Sequence, residues 1–190
     1  MVGCLQPRCV GCLFYSLLLA SGLISSRFVS TTQGRPTALS DTSCDAELVP
    51  LTLGKHVVRP TTTVHLDVYY WNVKFSRILN RFCAVLNGPE TIMSRLDQLD
   101  EIDTALLRWR DEIPMEYRPE QENQAPHHVY HFVAFLHLEY FNLLRAIHWS
   151  SLISVQANRD TAAKHRSPRI RASEGICLAA ARSFITTLNV

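Results

Sequence analysis

The sequence has 190 residues, of which 47 % are hydrophobic and 19 % are charged, and its net charge is +2. This composition is that of a globular rather than a disordered chain. The chain is long enough to form one domain with a sizeable core. This near-neutral charge gives no strong attraction to nucleic acid or to a membrane, and DNA-binding domains are usually more basic. The six cysteines, at positions 4, 9, 12, 44, 83 and 177, lack the density of a small disulfide-bonded protein, which favours a reducing, intracellular compartment.

Residues 1–26 form an apolar segment for which the sequence leaves several interpretations open. Val10–Ala20 is almost entirely apolar, follows Arg8 and precedes small residues, a pattern typical of a secretory signal. The apolar run is shorter than the roughly 20 residues that a membrane-spanning helix needs. The alternatives are a buried helix and a misjudged start of the coding region. Cys9 and Cys12 have the spacing of half a zinc site, but no second pair follows at a suitable distance.

A long irregular segment precedes the first strongly predicted helix. Gly34-Arg35-Pro36 ends any helix before it, and the stretch rich in Pro, Thr and Ser that follows has no clear period up to Thr63. A helix is predicted near residues 64–87, with an apolar stripe at Trp71, Phe75, Ile78, Phe82 and Val85 or Leu86. Asn87-Gly88-Pro89 ends it, because glycine adopts the left-handed cap and proline opens the next helix.

The second helix is predicted near residues 89–113. Apolar residues at steps of three and four form one face: Ile92, Leu96, Leu99, Ile102, Leu106, Trp109 and Ile113. Pro114 ends the helix, because the residue before a proline is pushed out of the α region. The acidic residues lie off the apolar face and are predicted to be solvated: Asp97, Asp100, Glu101, Asp103, Asp111 and Glu112.

The third helix, near residues 127–156, is predicted to be the core helix. Apolar residues surround almost its whole circumference, which is typical of a helix buried on several sides. Glu139 lies within this apolar stretch and is expected to pair with Arg145 or another arginine, since a buried charge needs a partner. The polar stretch Glu116–Pro126 before the helix is predicted to be a plain surface loop.

The sequence carries no motif of an enzyme. The Gly-x-Ser-x-Gly elbow of hydrolases, the Gly-x-Gly-x-x-Gly of dinucleotide-binding domains and the phosphate loop are all missing. His127 and His131 have the i, i+4 spacing of two metal ligands, but His128 stands where a zinc protease has glutamate, and no third ligand is evident. A small metalloenzyme on this pair is one hypothesis, and ordinary helix-end histidines are the other. No catalytic, cofactor-binding or metal-binding residue is predicted.

Residues 157–171 are predicted to be a solvated, mobile loop, because they carry a run of basic residues against one acid, Asp160. A phosphate-binding patch is the alternative, but no aromatic residues interleave with the charges. The last helix is predicted near residues 172–190, with Cys177, Ala180 or Ala181, Phe184 and Leu188 on one face. It still runs at Val190 without a cap signal, so we expect a partial domain.

Four segments together resemble the fungal-specific transcription factor domain, the helical middle homology region of fungal zinc-cluster regulators, including the xylanolytic activator type. They are Leu96–Pro114 with its Trp109-x-x-x-Ile113-Pro114 ending, Ser30–Leu39 with Gly34-Arg35-Pro36, Leu136–Leu144, and Ser173–Arg182 with its Cys-x-x-Ala-Ala-Arg run. Their order and spacing carry the resemblance, which covers residues 27–190.

The resemblance implies an all-α, irregular multi-helix bundle that regulates transcription in the nucleus and has no catalytic activity. Family members bind DNA through an attached zinc cluster, whose six closely spaced cysteines have no counterpart in this sequence. The resemblance therefore implies no cofactor in this chain, and contact with DNA only indirectly or through a missing zinc-cluster module. The partners it implies are the transcription machinery or regulatory proteins, and a homo-oligomer is a further expectation.

An alternative hypothesis from a different class is a secreted or membrane-tethered helical protein with residues 1–22 as its signal or anchor. It rests on the apolar run Val10–Ala20. The cysteines further along the chain do not support it, because they lack the pattern of a disulfide framework.

Overall fold

The structure, a computed structural model, describes residues 63–89, 91–157 and 167–188. These ranges contain helices and no β-strand, which confirms the predicted all-α class. The helices are α1 (Thr63–Asn87), α2 (Ile92–Glu112), α3 (His127–Ala157), α4 (Pro168–Arg171) and α5 (Ser173–Leu188), with one turn of 3-10 helix at Met115–Tyr117. The chain divides into two compact units between Asn80 and Arg81. The apolar N-terminal segment and Gly34-Arg35-Pro36 lie outside the described residues.

Helix α1 buries the apolar stripe predicted for it. Its buried apolar side chains are Val68, Trp71, Phe75, Ile78 and Leu79 in the first unit, and Phe82, Cys83 and Val85 in the second. Leu86 is 43 % exposed, so Val85 completes the stripe. The helix ends at Asn87 as predicted, and the side-chain amide of Asn87 donates to the carbonyl oxygen of Cys83 at 2.8 Å. This side-chain bond holds Asn87 against the last turn of the helix.

Helix α2 begins at Ile92, later than predicted, and Pro89 does not open it. Thr91 is the N-cap: its backbone is extended, and its Oγ1 accepts a hydrogen bond from the amide nitrogen of Ser94 at 3.3 Å. Threonine serves here because its side-chain oxygen pairs with an amide that has no partner in the first turn. The helix ends at Glu112, and Ile113 is extended ahead of Pro114, as predicted.

We expect Thr91→Ala to lower the free energy of unfolding by about 1 kcal/mol, because it removes this cap. Urea denaturation followed by circular dichroism measures the change. Thr104→Ala, at an exposed position in the middle of the same helix, is the matched control and should be neutral or stabilising, since alanine is the better helix former. Equal losses in the two variants would contradict the assigned cap.

The apolar face of α2 is buried as predicted. Its buried members are Leu96, Leu99, Ile102, Leu106 and Trp109, and Ile113 just after the helix is buried with them. The ring of Trp109 stacks on Tyr140 of α3, with centroids 6.1 Å apart and planes inclined by 23°. Trp109 therefore packs the end of α2 into the core. The prediction that every acid of this helix is solvated is wrong at Asp103, which is 0 % exposed.

Helix α3 has one fully buried face and one open side. The buried face includes Val129, Val133, Leu136, Tyr140, Leu143, Leu144 and Ile147, and it contacts both α2 and α5. The predicted burial around the whole circumference is wrong, because Phe132, Phe135, Trp149 and Ile153 are each more than 40 % exposed. Within the described ranges, no helix combines the length and apolarity that crossing a bilayer requires.

The link between α2 and α3 is a largely exposed loop after one turn of 3-10 helix, as predicted, but specific contacts hold it in place. Nη2 of Arg118 donates to the carbonyl oxygens of Asp111 at 2.9 Å and Ile113 at 3.1 Å. These bonds satisfy carbonyls at the end of α2 that lack helical partners. Nε2 of His137 donates to the carbonyl oxygen of Tyr117 at 3.0 Å. Burial lowers the pKa of His137, and this bond offsets the effect only in part.

Glu120 anchors the same link to the core. Its φ is 81°, in the left-handed region that glutamate rarely adopts. Its carboxylate accepts hydrogen bonds from the hydroxyl of Tyr140 and from Nη1 of Arg110, both at 3.3 Å. The two contacts hold the strained backbone in place.

The last predicted helix, near residues 172–190, corresponds to α5, and the short α4 precedes it within the stretch predicted to be a loop. Ser173 and Ala180 are the buried residues of α5, and Cys177 is half-buried with its Sγ 3.7 Å from the carbonyl oxygen of Arg145 on α3. The predicted face is correct at Ala180 and wrong at Leu188, which is 58 % exposed.

Candidate functional site

A buried polar cluster brings together side chains of α2, α3, α4 and α5 within the second unit. We name it the Asp103 cluster, and its members are Asp103, His148, Arg169 and Ser173. Asp103 and His148 are 0 % exposed and Ser173 is 1 % exposed. Acidic side chains are almost never fully buried unless they are paired, so this cluster is the strongest candidate for a functional feature.

Arg169 holds one side of the Asp103 carboxylate. Its Nη2 donates to Oδ1 of Asp103 at 3.1 Å, and its Nε donates to Oδ2. Two parallel bonds between a guanidinium and a carboxylate are stronger and more directional than a single bond. The side chain of Arg169 is 37 % exposed, whereas that of Asp103 is 0 % exposed. The guanidinium therefore lies between the buried carboxylate and the solvent.

His148 occupies the other side of the carboxylate. Its Nε2 lies 3.4 Å from Oδ1 of Asp103, and the described residues offer Nε2 no better-directed partner. At this distance the contact is mainly electrostatic. Its Nδ1 lies 2.9 Å from Oγ of Ser173. An ionised carboxylate only accepts hydrogen bonds, so Nε2 carries the proton that faces Asp103, while Nδ1 is paired with the Ser173 hydroxyl.

The charge of Asp103 is set by two opposing effects. Burial alone would raise the pKa of Asp103, because desolvation disfavours the carboxylate. The contacts with His148 and with the guanidinium of Arg169 outweigh burial and hold this pKa below its ordinary value of 3.8. A carboxyl group with a lowered folded pKa stabilises the fold above its unfolded pKa and loses that contribution as the pH falls. The cluster is thus ionic at neutral pH.

Ser167 and Asp100 make a second contact beside the cluster. The Ser167 hydroxyl donates to Oδ1 of Asp100, and the same Oγ accepts a bond from the amide of Ile170 at 3.4 Å. Asp100 and Asp103 lie on α2, whereas Ser167 and Arg169 lie at α4, so the two pairs join the same two segments. We name the pairs Asp100–Ser167 and Asp103–Arg169 the α2–α4 clasp.

The clasp corrects the prediction of a solvated, mobile loop over residues 157–171. Residues 167–171 are instead a capped helical turn held to α2 by two side-chain pairs. The prediction placed the basic residues of this stretch in solvent because it considered only their local charge. Arg169 instead neutralises the buried carboxylate of Asp103. Residues 158–166 lie outside the described residues.

The Asp103 cluster is suited to holding helices together rather than to catalysis. Contacts run from Asp103 through His148 to Ser173, which are the residue types of a serine hydrolase. With Ser173 only 1 % exposed, its hydroxyl is out of reach of a substrate, and Arg169 already neutralises the carboxylate. In the part of the chain that the structure describes, no three His, Cys, Asp or Glu side chains stand close enough to share a metal ion.

The predicted histidine pair lies far from this cluster. His127 and His131 are both exposed, and their ring centroids are 6.5 Å apart. They lie in the first turns of α3, about 25 to 32 Å along the helix from His148. Their spacing brings them together as predicted, and the ring of Tyr130 lies 5.9 Å from that of His131.

Glu139 is a second buried acid, outside the cluster. It is 9 % exposed, and its predicted partner Arg145 donates instead to Oδ1 of Asn142 at 3.0 Å. The pairing prediction is wrong because six residues of helix place Arg145 roughly 120° around α3 from Glu139. Among the described residues no cation contacts the Glu139 carboxyl group. Burial raises its pKa to about 7.

Two curated fungal proteins are similar in sequence to this chain. They are the ABC-transporter-regulating transcription factors of Aspergillus oryzae and Aspergillus fumigatus, each 31 % identical to the chain over 124 residues. The aligned region covers 60 % of this chain and spans 14 % of the length of each relative. No protein-family model and no solved structure matches the chain. The chain is therefore similar to fungal transcription factors over a region that forms a small part of those proteins.

Proposed function

We propose that this chain is a regulatory domain of a fungal transcription factor, of the middle homology type that accompanies zinc-cluster modules, and that it acts in the nucleus. The observation that carries the proposal is the 31 % identity with two fungal transcription factors over 124 residues. The all-α fold supports it, as does a buried ionic cluster that joins helices and exposes no reacting group.

In this proposal the domain influences transcription without binding DNA or a metal ion itself. The net charge of +2 gives no strong attraction to phosphate, and the six cysteines lack the close spacing of a zinc cluster. Contact with DNA would come from a zinc-cluster module outside this sequence or from a partner protein. The proposed partners are the transcription machinery or regulatory proteins, and a homo-oligomer of the chain is a further proposal.

A tethering assay tests the regulatory role. Residues 1–190 are fused to a heterologous DNA-binding domain in fungal cells that carry a reporter with the matching binding sites. We expect nuclear accumulation and a change in reporter expression relative to the DNA-binding domain alone. An equally expressed fusion carrying Asp103→Ala, which weakens the fold, should lose the effect. Reporter expression equal to that of the DNA-binding domain alone, with a folded and nuclear fusion, would overturn the proposal.

A binding assay tests the indirect contact with DNA. The relatives are named for regulating ABC transporters, so promoter DNA of an ABC transporter gene is a suitable probe. We expect no sequence-specific binding of the purified chain by fluorescence anisotropy at physiological salt, because nonspecific phosphate attraction is weak there. Saturable binding that a scrambled duplex does not compete away would contradict this part of the proposal.

A further inference from the structure

We propose that Ser167 is a phosphorylation site for a proline-directed protein kinase, and that the phosphate opens the α2–α4 clasp. Ser167-Pro168 is the only Ser-Pro or Thr-Pro dipeptide among the nine prolines of the sequence. A kinase that requires proline after the modified residue therefore has one target in this chain. The proposal is independent of the transcriptional role, because it concerns only the chain and the kinase.

The backbone at Ser167 is already extended. Its φ is −66° and its ψ is 121°, because a residue before proline avoids the α region. Kinases bind their substrate segments in extended form, so Ser167 itself needs little backbone change on binding, whereas Pro168–Arg171 has to leave its helical conformation. Ser167 is half-buried, and Pro168 and Arg171 are exposed. Local opening of the four-residue helix α4 is enough to present the hydroxyl.

The reaction needs only the Ser167 hydroxyl, ATP and the kinase. Oγ of Ser167 attacks the γ-phosphorus of ATP, and the bond between that phosphorus and the bridging oxygen of ADP breaks. The hydroxyl proton passes to the catalytic carboxylate of the kinase. The products are the phosphoserine and ADP.

Phosphorylation reverses the contact with Asp100. Before the reaction the Ser167 hydroxyl donates its proton to Oδ1 of Asp100. Afterwards Oγ has no proton to donate, and the phosphate carries a charge of about −1.5 to −2 at neutral pH. Two anions then face each other at a distance that suited a hydrogen bond. Asp100 is half-buried, so solvent screens the repulsion incompletely.

The same phosphate competes for Arg169. This arginine is two residues from Ser167, and its side chain is 37 % exposed. A phosphate offers three acceptor oxygens whose geometry suits a guanidinium. If Arg169 turns toward it, Asp103 keeps only the contact with His148 at 3.4 Å. A buried carboxylate that loses its cation is strongly destabilising, so both pairs of the clasp open together.

The test uses the purified full chain, a proline-directed kinase and ATP. We expect mass spectrometry to find one phosphate, on Ser167, and none on Pro168→Ala, which keeps the hydroxyl and loses the recognition element. We expect amide hydrogen exchange over residues 167–176 to become roughly 10-fold faster after phosphorylation, whereas exchange in the middle of α2 stays unchanged.

Asp100→Asn separates the two steps of the mechanism. It removes the negative charge that faces the phosphate, so its phosphorylated form should show a much smaller rise in exchange. If the kinase modifies a standard peptide fully but leaves the chain unmodified, the assigned site is wrong. If Ser167 is modified and exchange over residues 167–176 is unchanged, the opening of the clasp is wrong. An equal rise in Asp100→Asn would overturn the role of charge repulsion.

Discussion

Asp103→Ala should lower the free energy of unfolding by about 3 kcal/mol at pH 7, as measured by urea denaturation. The substitution removes the carboxylate that accepts two bonds from Arg169 and faces Nε2 of His148. It leaves the imidazole of His148 fully buried without its acceptor. Arg169 is partly exposed and regains water, so the main loss comes from His148 and from the released α4.

Glu101→Ala is the matched control for Asp103→Ala. Glu101 lies on the same helix and contacts Arg81 at 3.5 Å, but the two side chains are 70 % and 54 % exposed. Exposed pairs of this kind contribute about 1 kcal/mol or less. The difference between wild type and Asp103→Ala should shrink as the pH falls below 3.8, because protonation of Asp103 removes the same contacts. A loss as small as that of Glu101→Ala would show that the cluster does not stabilise the fold.

The helix faces could be predicted because they depend on local spacing. The steps of three and four along α2 define one face, and six of the seven apolar residues predicted on it are buried. Trp109 belongs to that series, and its stack on Tyr140 follows from its place at the end of the helix. Residue spacing within one helix therefore carries most of the information about its core side.

The Asp103 cluster was missed although half of its signal is local. Asp103 lies four residues after Leu99 and three before Leu106, so it shares their buried face. His148 lies four residues after the buried Leu144 in the same way. The prediction grouped Asp103 with the solvated acids because of its charge, although its position in the helix places it on the buried face. The position alone indicates a buried carboxylate that requires a cation.

The cation itself could not be predicted, because it comes from a distant part of the chain. Arg169 is 66 residues from Asp103, and nothing near residue 169 marks it as the partner. The run of basic residues around it looks the same as a solvated loop. Only the packing of α5 along α3 and the contact of α4 with α2 bring the guanidinium to the carboxylate. Tertiary structure, not local pattern, therefore determines which charge is buried.

Glu139→Gln should stabilise the fold by about 3 kcal/mol at pH 8 and have almost no effect at pH 4.5. Burial raises the pKa of Glu139 from its ordinary value of 4.5 to about 7. Between these two values the folded chain binds more protons than the unfolded chain, so the stability of the wild type falls as the pH rises. Glutamine keeps the shape of the neutral acid and does not ionise, which removes this loss.

Urea denaturation of both chains at several pH values between 4.5 and 8 measures the effect of Glu139→Gln. The gain should grow through this range and level off above pH 7, where Glu139 is ionised in both states. Glu101→Gln is the control, because Glu101 is 70 % exposed and its charge remains in water after folding. A gain that does not change with pH would mean that ionisation of Glu139 is not its cause. A loss at pH 8 would show instead that the carboxylate of Glu139 is stabilised in the folded chain.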